Sequence, residues 1–176
     1  NEVQVMAIAL SSDGENDPDI LAVVGVSAAL SISKIPFAGP LGACRVGRVN
    51  GELILNPTYA QREASDMDLV VVGSKDKIIM IEGEAKGLPE ADVLAGLKFA
   101  HKSFQSVIHA QEEFVKKAGA EKMEYEDQSV GPEVLEKVRS KYLSKIKDIC
   151  RLTHKEERQE AGQSLQQIYG LVRGVD

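Results

Sequence analysis

Asp66 and Asp68 are the residues of this chain whose type and spacing come closest to a metal site. They stand two positions apart, where a polar stretch gives way to the apolar run Leu69-Val70-Val71. Residues i and i+2 of a strand point to the same side, so the two carboxylates could share a divalent cation. The alternative, which the sequence favours, is structural: the pair ends a loop, and one carboxylate accepts hydrogen bonds from loop amides.

Arg45 and Arg48 are the second group with binding chemistry, in the stretch Cys44-Arg45-Val46-Gly47-Arg48. Guanidinium groups bind the phosphates of nucleic acids through paired hydrogen bonds. The alternative is that both arginines make structural ion pairs on a surface strand, for example with Glu52. The sequence leaves both roles open and favours the ion pairs.

The bulk properties narrow the class of protein. The 176 residues carry a net charge of −6, which argues against binding nucleic acid through overall positive charge but leaves room for a local basic rim. Two distant cysteines, Cys44 and Cys150, indicate a reducing compartment without a disulfide framework. No apolar run reaches transmembrane length, no secretory signal is recognised, and the start without Met predicts a piece of a longer protein.

Alternation of apolar residues and turn signals predicts several strands in the first half of the chain. Asn50-Gly51 lies between two apolar runs and is the strongest hairpin signal, because both residues tolerate positive φ. Residues 56–65 are predicted to form a polar connection. The predicted strands are a first one near residues 3–9, followed by residues 43–49, 52–55, 68–72 and 77–82.

Helical periodicity predicts a buried helix over residues 20–32, one long helix from Pro89 to about Lys117, and two further helices after Pro132 and Thr153. Strands grouped between helices indicate an α+β fold of the split βαβ kind, followed by an all-helical segment. The predicted limits are residues 1–119 for the α+β part, 120–131 for a linker, and 132–176 for the start of the helical segment.

Several separated runs resemble, in the right order, the first core domain of the polynucleotide phosphorylases, a family built on the ribonuclease-PH-type fold. These runs carry the resemblance over most of residues 1–118, and the helical segment matches by position and character alone. They are Asp17-Pro18-Asp19-Ile20, Ser27-Ala28-Ala29-Leu30, Ile35-Pro36-Phe37, Val49-Asn50-Gly51-Glu52, Leu55-Asn56-Pro57-Thr58-Tyr59 and Ser65-Asp66-Met67-Asp68-Leu69.

The resemblance also implies an absence of catalysis in this part. Catalytic members of the fold carry two carboxylates six residues apart in the matching segment. Aligned on Asp66-Met67-Asp68, those places fall on Asn56 and Arg62. An amide and a guanidinium group cannot assemble the site of a hard cation, so no catalytic and no metal-binding residue is expected here.

For the parent protein, the resemblance implies a 3′-to-5′ exoribonuclease that degrades RNA with inorganic phosphate to nucleoside diphosphates. It implies Mg²⁺ or Mn²⁺ held outside this chain, a homotrimer, the remaining core domain and RNA-degradation proteins as partners, and a cytoplasmic location or the stroma or matrix of an organelle. Arg45 and Arg48 are the residues expected to contact RNA. The alternative function is a structural, RNA-guiding assembly module of a ring-shaped complex without activity of its own.

Overall fold

The computed structural model describes residues 3–126 and 129–172. The chain divides into two compact units, Asn1–Tyr125 and Glu126–Asp176. In chain order the elements are α1 (Asp19–Ile32), β1 (Gly42–Val49), β2 (Glu52–Leu55), α2 (Tyr59–Glu63), β3 (Met67–Gly73), β4 (Ile78–Ala85), α3 (Glu90–Ser103), α4 (Gln105–Ala118), α5 (Pro132–Cys150) and α6 (Lys155–Val172). None of the helices in the described part is long and apolar enough to cross a membrane.

The first unit is built on a four-stranded antiparallel sheet with the order β2-β1-β3-β4. The β1–β2 hairpin turns at Asn50 and Gly51, whose φ angles are 52° and 85°. Two successive positive φ angles are the geometry that gives a two-residue turn the twist of its flanking strands. The predicted hairpin and the four predicted strands that follow residue 42 are confirmed.

The main core lies between the sheet and the helices α3 and α4. One face of the sheet packs there against Ala100 and Ile108, through side chains that include Val46, Met67 and Val71. Burial in this core raises the pKa of the Cys44 thiol to about 11. The thiol sits among apolar side chains and donates a hydrogen bond to the Ala100 carbonyl oxygen, with 3.7 Å between the heavy atoms.

The single long helix predicted from Pro89 onwards is wrong, because the structure breaks it at Phe104. The Phe104 ring is fully buried, and the strand residues below it are the cross-strand pair Gly42 and Gly73. A Cβ on Gly42 would lie 2.6 Å from the ring, and one on Gly73 would lie 2.9 Å from it. The two glycines therefore make the space for the ring, and the helix is interrupted where this large side chain is inserted.

Helix α1 covers the opposite face of the sheet, through contacts of Ile20 with Ala43 and Val72. The sequence predicts a buried helix packed on a sheet; α1 does pack on the sheet, but Leu21 on its outer side is 74% exposed. The strand predicted for residues 3–9 is also wrong. These residues form no ladder with any described strand, and a strand is stable only when its backbone groups are paired. They border an open cavity of about 570 Å³ beside α1 instead.

The prediction of a polar connection over residues 56–65 did not include helix α2. Its first turn is fixed by a capping box, in which the Thr58 side chain and the Gln61 side chain each bond the backbone of the other residue. The second unit contains α5 and α6 and is helical throughout its described residues, apart from short connections. Taken element by element, the structure confirms the predicted α+β class followed by a helical segment.

Gly83 provides a test of the β3–β4 pairing. Its φ is +154°, and an added Cβ would lie 2.0 Å from the carbonyl oxygen of Asp68 on β3. We expect Gly83→Ala to destabilise the β3–β4 pair by roughly 3 kcal/mol or more, since backbone must move to admit the methyl group. Hydrogen exchange of the β3 amides in the full-length protein measures the loss.

Gly25→Ala in α1 is the matched control, because a Cβ there meets open space. Its β3 amides should exchange as in the wild type. Equal protection of β3 in the Gly83→Ala variant and the wild type would contradict the close approach of the two strands.

Candidate functional site

Five charged side chains meet where α1 begins, beside the sheet. We call this group the arginine–aspartate cluster, and its members are Asp17, Asp19, Arg45, Arg62 and Asp68. They come from the start of α1, from β1, from α2 and from β3. Three carboxylates face two guanidinium groups, so the cluster is nearly neutral by itself and keeps one negative charge.

Arg45 is the inner cation of the cluster and is only 8% exposed. Its Nη1 lies 2.5 Å from Asp68 Oδ1, and its Nη2 lies 2.5 Å from Asp19 Oδ2. Burial lowers the pKa of the Arg45 guanidinium, but the hydrogen bonds to Asp68 and Asp19 outweigh it and raise the pKa above its usual value. Arg45 is therefore charged at every physiological pH and is held by carboxylates on two sides.

Arg62 is the outer cation. Its Nε and Nη2 atoms both lie 2.9 Å from Asp68 Oδ2, and its Nη1 lies 2.9 Å from Asp17 Oδ2. Asp68 thus accepts from both arginines, one on each of its oxygens. Arg62 stands at one of the two places at which the family resemblance locates a catalytic carboxylate. In this chain it forms an ion pair with Asp68 instead.

The strand register explains why these residues meet. Gly47 on β1 lies opposite Asp68 on β3, so Arg45, two residues earlier on the same face, is the diagonal neighbour of Asp68. This is the face covered by α1, whose first turn brings Asp19 over the sheet. Helix α2 follows the hairpin and places Arg62 beside Asp68.

Asn56 occupies the other place at which the resemblance locates a catalytic carboxylate. Its Oδ1 accepts a hydrogen bond from the Arg45 amide at 2.9 Å, and its own amide donates to the Arg45 carbonyl oxygen at 2.7 Å. The backbone has φ 47°, a conformation that asparagine adopts more readily than most residues. Asn56 therefore finishes the hairpin, and its side-chain oxygen is already bonded.

Asp66 and Asp68 do not share a site, so the less favoured of the two predicted roles, a shared cation, is not supported. Asp66 precedes the first residue of β3, so the two-residue repeat does not extend to it. Its Oδ2 lies 2.9 Å from Arg48 Nη1, whereas Asp68 binds Arg45 and Arg62. Arg45 and Arg48 are three positions apart on β1 and so lie on opposite faces of the sheet.

Arg48 makes ion pairs as well, with partners other than the predicted Glu52. Besides Asp66, its guanidinium contacts Asp92 of α3, with 3.4 Å between Nη2 and Oδ2. The Arg48 side chain is 21% exposed, about twice the 10% of Arg45. Contact of Arg45 and Arg48 with RNA stays a prediction, and Arg48 is the more accessible of the two.

These residues do not fit a divalent metal ion. The two places at which the family resemblance puts ligands hold a bonded amide and a guanidinium group, and Asp68 is occupied by two arginines. Across residues 3–126 and 129–172, no group of three or more His, Cys, Asp or Glu side chains is arranged to hold a metal. A cation added to the cluster would meet the positive charge of Arg45 and Arg62 at short range.

The fold and this site define the class of protein first: an α+β ribonuclease-PH-like half-domain followed by a helical segment. Residues 39–103 match the family model described as "3′ exoribonuclease family, domain 2". The chain belongs to the polyribonucleotide nucleotidyltransferase family, as the resemblance in the sequence indicated.

Curated relatives share this name. The chain is 47% identical over 160 residues to the polyribonucleotide nucleotidyltransferase of Syntrophotalea carbinolica. The matched residues make up 91% of the chain and 23% of that protein. It is 44% identical over 158 residues to the one of Sulfurihydrogenibium azorense (90% of the chain, 22% of that protein). It is 41% identical over 167 residues to the one of Nitratidesulfovibrio vulgaris (95% and 22%). The chain thus spans less than a quarter of the length of these relatives.

Asp17 and Asp19 are the members of the cluster whose role the sequence did not reveal. Their positions are typical of residues that begin a helix, and Asp17 Oδ1 does accept a hydrogen bond from the Asp19 amide at 3.2 Å. Asp19 Oδ2 bonds Arg45, 26 residues further along the chain, and Asp17 Oδ2 bonds Arg62, 45 residues further along. The available signal was charge balance: Arg45 lies in a predicted strand, and an arginine held against a sheet requires nearby acids.

Asp68→Asn tests the cluster, because it removes one carboxylate from two arginines. We expect the free energy of opening of β3 to fall by about 2–3 kcal/mol, since Arg45 is left buried with one partner fewer. Native-state hydrogen exchange at Val70 and Val72 in the full-length protein measures this quantity.

Glu113→Gln is the control, since it breaks the exposed ion pair with Lys116 on α4. That variant should show no measurable change, because exposed ion pairs contribute little. If Asp68→Asn behaves like this control, the cluster does not stabilise the sheet.

Proposed function

We propose that this chain is a non-catalytic core portion of a 3′-to-5′ phosphorolytic exoribonuclease, which degrades RNA with inorganic phosphate to nucleoside diphosphates. The names of the relatives and of the matching family support the activity of the parent protein. The observation that carries the non-catalytic role is the arginine–aspartate cluster, in which internal cations satisfy the carboxylates.

Phosphorolysis makes demands that this cluster does not meet. A phosphate oxygen attacks the 3′-terminal phosphodiester, the bond to the preceding 3′ oxygen breaks, and a nucleoside diphosphate leaves. The transition state is rich in negative charge and needs cations that are free to bind it. Arg45 and Arg62 already bind Asp19, Asp17 and Asp68, so their positive charge is neutralised within the protein.

In this proposal, the work of catalysis lies elsewhere in the full-length protein. Mg²⁺ or Mn²⁺ and inorganic phosphate bind there, and this chain supplies a stable wall of the core. Residues 1–119 form the second part of the first core domain, 120–131 a linker, and 132–176 the start of a helical segment. The proposed partners are RNA, two further copies of the protein in a trimer and RNA-degradation proteins, and the proposed location is the cytoplasm.

Asp66→Asn in the full-length protein tests both parts of this proposal. Asp66 is suited to the test because its carboxylate is 37% exposed and pairs with Arg48 outside the cluster. With poly(A) and inorganic phosphate, the wild type should release ADP. The variant should keep kcat/KM within about twofold, because no reacting group depends on Asp66; loss of a transition-state contact costs roughly 100-fold or more.

Asp76→Asn in the exposed β3–β4 turn is the matched control. A wild type that releases no ADP in the presence of phosphate would refute the proposed activity. A 100-fold loss in Asp66→Asn alone, with the fold intact, would refute the non-catalytic role instead.

We also propose that this chain guides RNA through Arg48. Its guanidinium is partly exposed, and neither of its ion pairs is buried. For Arg45, a phosphate would have to displace two close carboxylates, so the sharper test concerns Arg48.

Arg48→Ala should weaken binding of single-stranded RNA by the full-length protein, with similar losses for different sequences. The slope of log K against log[salt] should fall by about 1, as expected when one phosphate contact is lost. Arg139→Ala on the exposed surface of α5 is the control for a general loss of positive charge. An unchanged affinity and slope in Arg48→Ala would remove Arg48 from the RNA path.

A further inference from the structure

The C-terminal end of α1 has no cation of its own. Its last turn contains no basic residue, and the residue that follows the helix is Ser33 rather than glycine. The final carbonyl groups of a helix lack partners within it, and they carry the negative end of the helix dipole. An end of this kind needs donors and positive charge from elsewhere in the fold.

Lys122 supplies both from about 90 residues further along the chain. Its Nζ donates to the carbonyl oxygens of Leu30 and Ser31, each at 2.9 Å, and to that of Ser33 at 2.8 Å. An ammonium group has three N–H bonds, and all three are used. The positive charge is thereby placed at the negative end of the α1 dipole.

Backbone hydrogen bonds complete the contact. The Ala120 amide donates to the Ile32 carbonyl oxygen at 2.8 Å, and the Met123 amide donates to the Lys34 carbonyl oxygen at 2.8 Å. Residues 120–123 therefore take every carbonyl oxygen from Leu30 to Lys34. We refer to residues 120–125 as the strap. It begins right after α4 and runs up to the last residue of the first unit.

We propose that Lys122 is the latch of a conformational device: it fastens the strap to the end of α1, and loss of its charge releases the strap. The latch is a single side chain, while the backbone bonds that accompany it are only two. Without the ammonium group, the carbonyl oxygens of Ser31 and Ser33 return to water, and that of Leu30 keeps the Ser33 hydroxyl as its donor. The strap then loses its central anchor.

Release has a defined geometrical consequence. The strap is six residues long, so freeing it adds up to about 20 Å of extended chain between the first unit and the residues that follow. The end of α1 would lose the donors that the strap supplies and would fray.

The test uses Lys122→Met in the full-length protein, which keeps the length of the side chain and removes its charge. We expect the amides of Ala120 and Met123 to exchange about tenfold faster, the size expected for lost hydrogen bonds to a charged group. Glutamyl endopeptidase should cut faster after Glu121 and Glu124, which lie in the strap. The β3 amides should exchange as in the wild type, which shows that the fold is intact.

Two further variants separate the latch from a general effect. Lys117→Met removes another exposed charge, at the end of α4, and should change neither readout. Lys122→Arg keeps the positive charge and should retain most of the protection. Unchanged exchange and cleavage in Lys122→Met would overturn the proposal. Equal loss in Lys122→Arg and Lys122→Met would overturn the part that assigns release to charge.

Discussion

The pairing of two guanidinium groups with three carboxylates is the interaction on which the first unit depends. Arg45 sits under α1, where an unpaired charge would cost several kcal/mol. Its partners must therefore be in place whenever the sheet is formed, and they come from the start of α1 and from β3. Arg62 extends the same network to α2. Four elements of the fold thus share one set of charges.

The same ion pairs distinguish this cluster from a metal-binding site. Carboxylates that hold a metal must present free oxygens, whereas those of Asp17, Asp19 and Asp68 are bonded to arginines. In turn, each arginine is bound by at least two of these carboxylates. The network keeps one net negative charge and joins four elements of the first unit.

Local signals predicted much of this fold. Asn50-Gly51 identified the hairpin because its backbone requirement is local, and the apolar periodicity located the strands and most helices. Phe104 broke the predicted long helix because its ring needs the space above Gly42 and Gly73, which depends on strand pairing. Residues 3–9 have the composition of a strand, but no described strand pairs with them.

The site was predictable only in part for the same reason. The resemblance pointed to Asn56 and Arg62 as replacements for carboxylates, and both are bonded within the protein. The partners of Arg62 follow from the register of β1 and β3 and from the position of α1, which no local pattern encodes. Asp66 and Asp68 separated because only the second lies within the strand.

The coupling energy between Arg62 and Asp68 tests the central claim most directly. It is obtained from a double-mutant cycle of Arg62→Gln and Asp68→Asn, with the opening free energy of β3 amides in the full-length protein as the readout. The network described here predicts a favourable coupling of about 1–3 kcal/mol, as found for residues that share one network. Additive effects of the two substitutions would contradict it, because they would mean that the two charges do not act together.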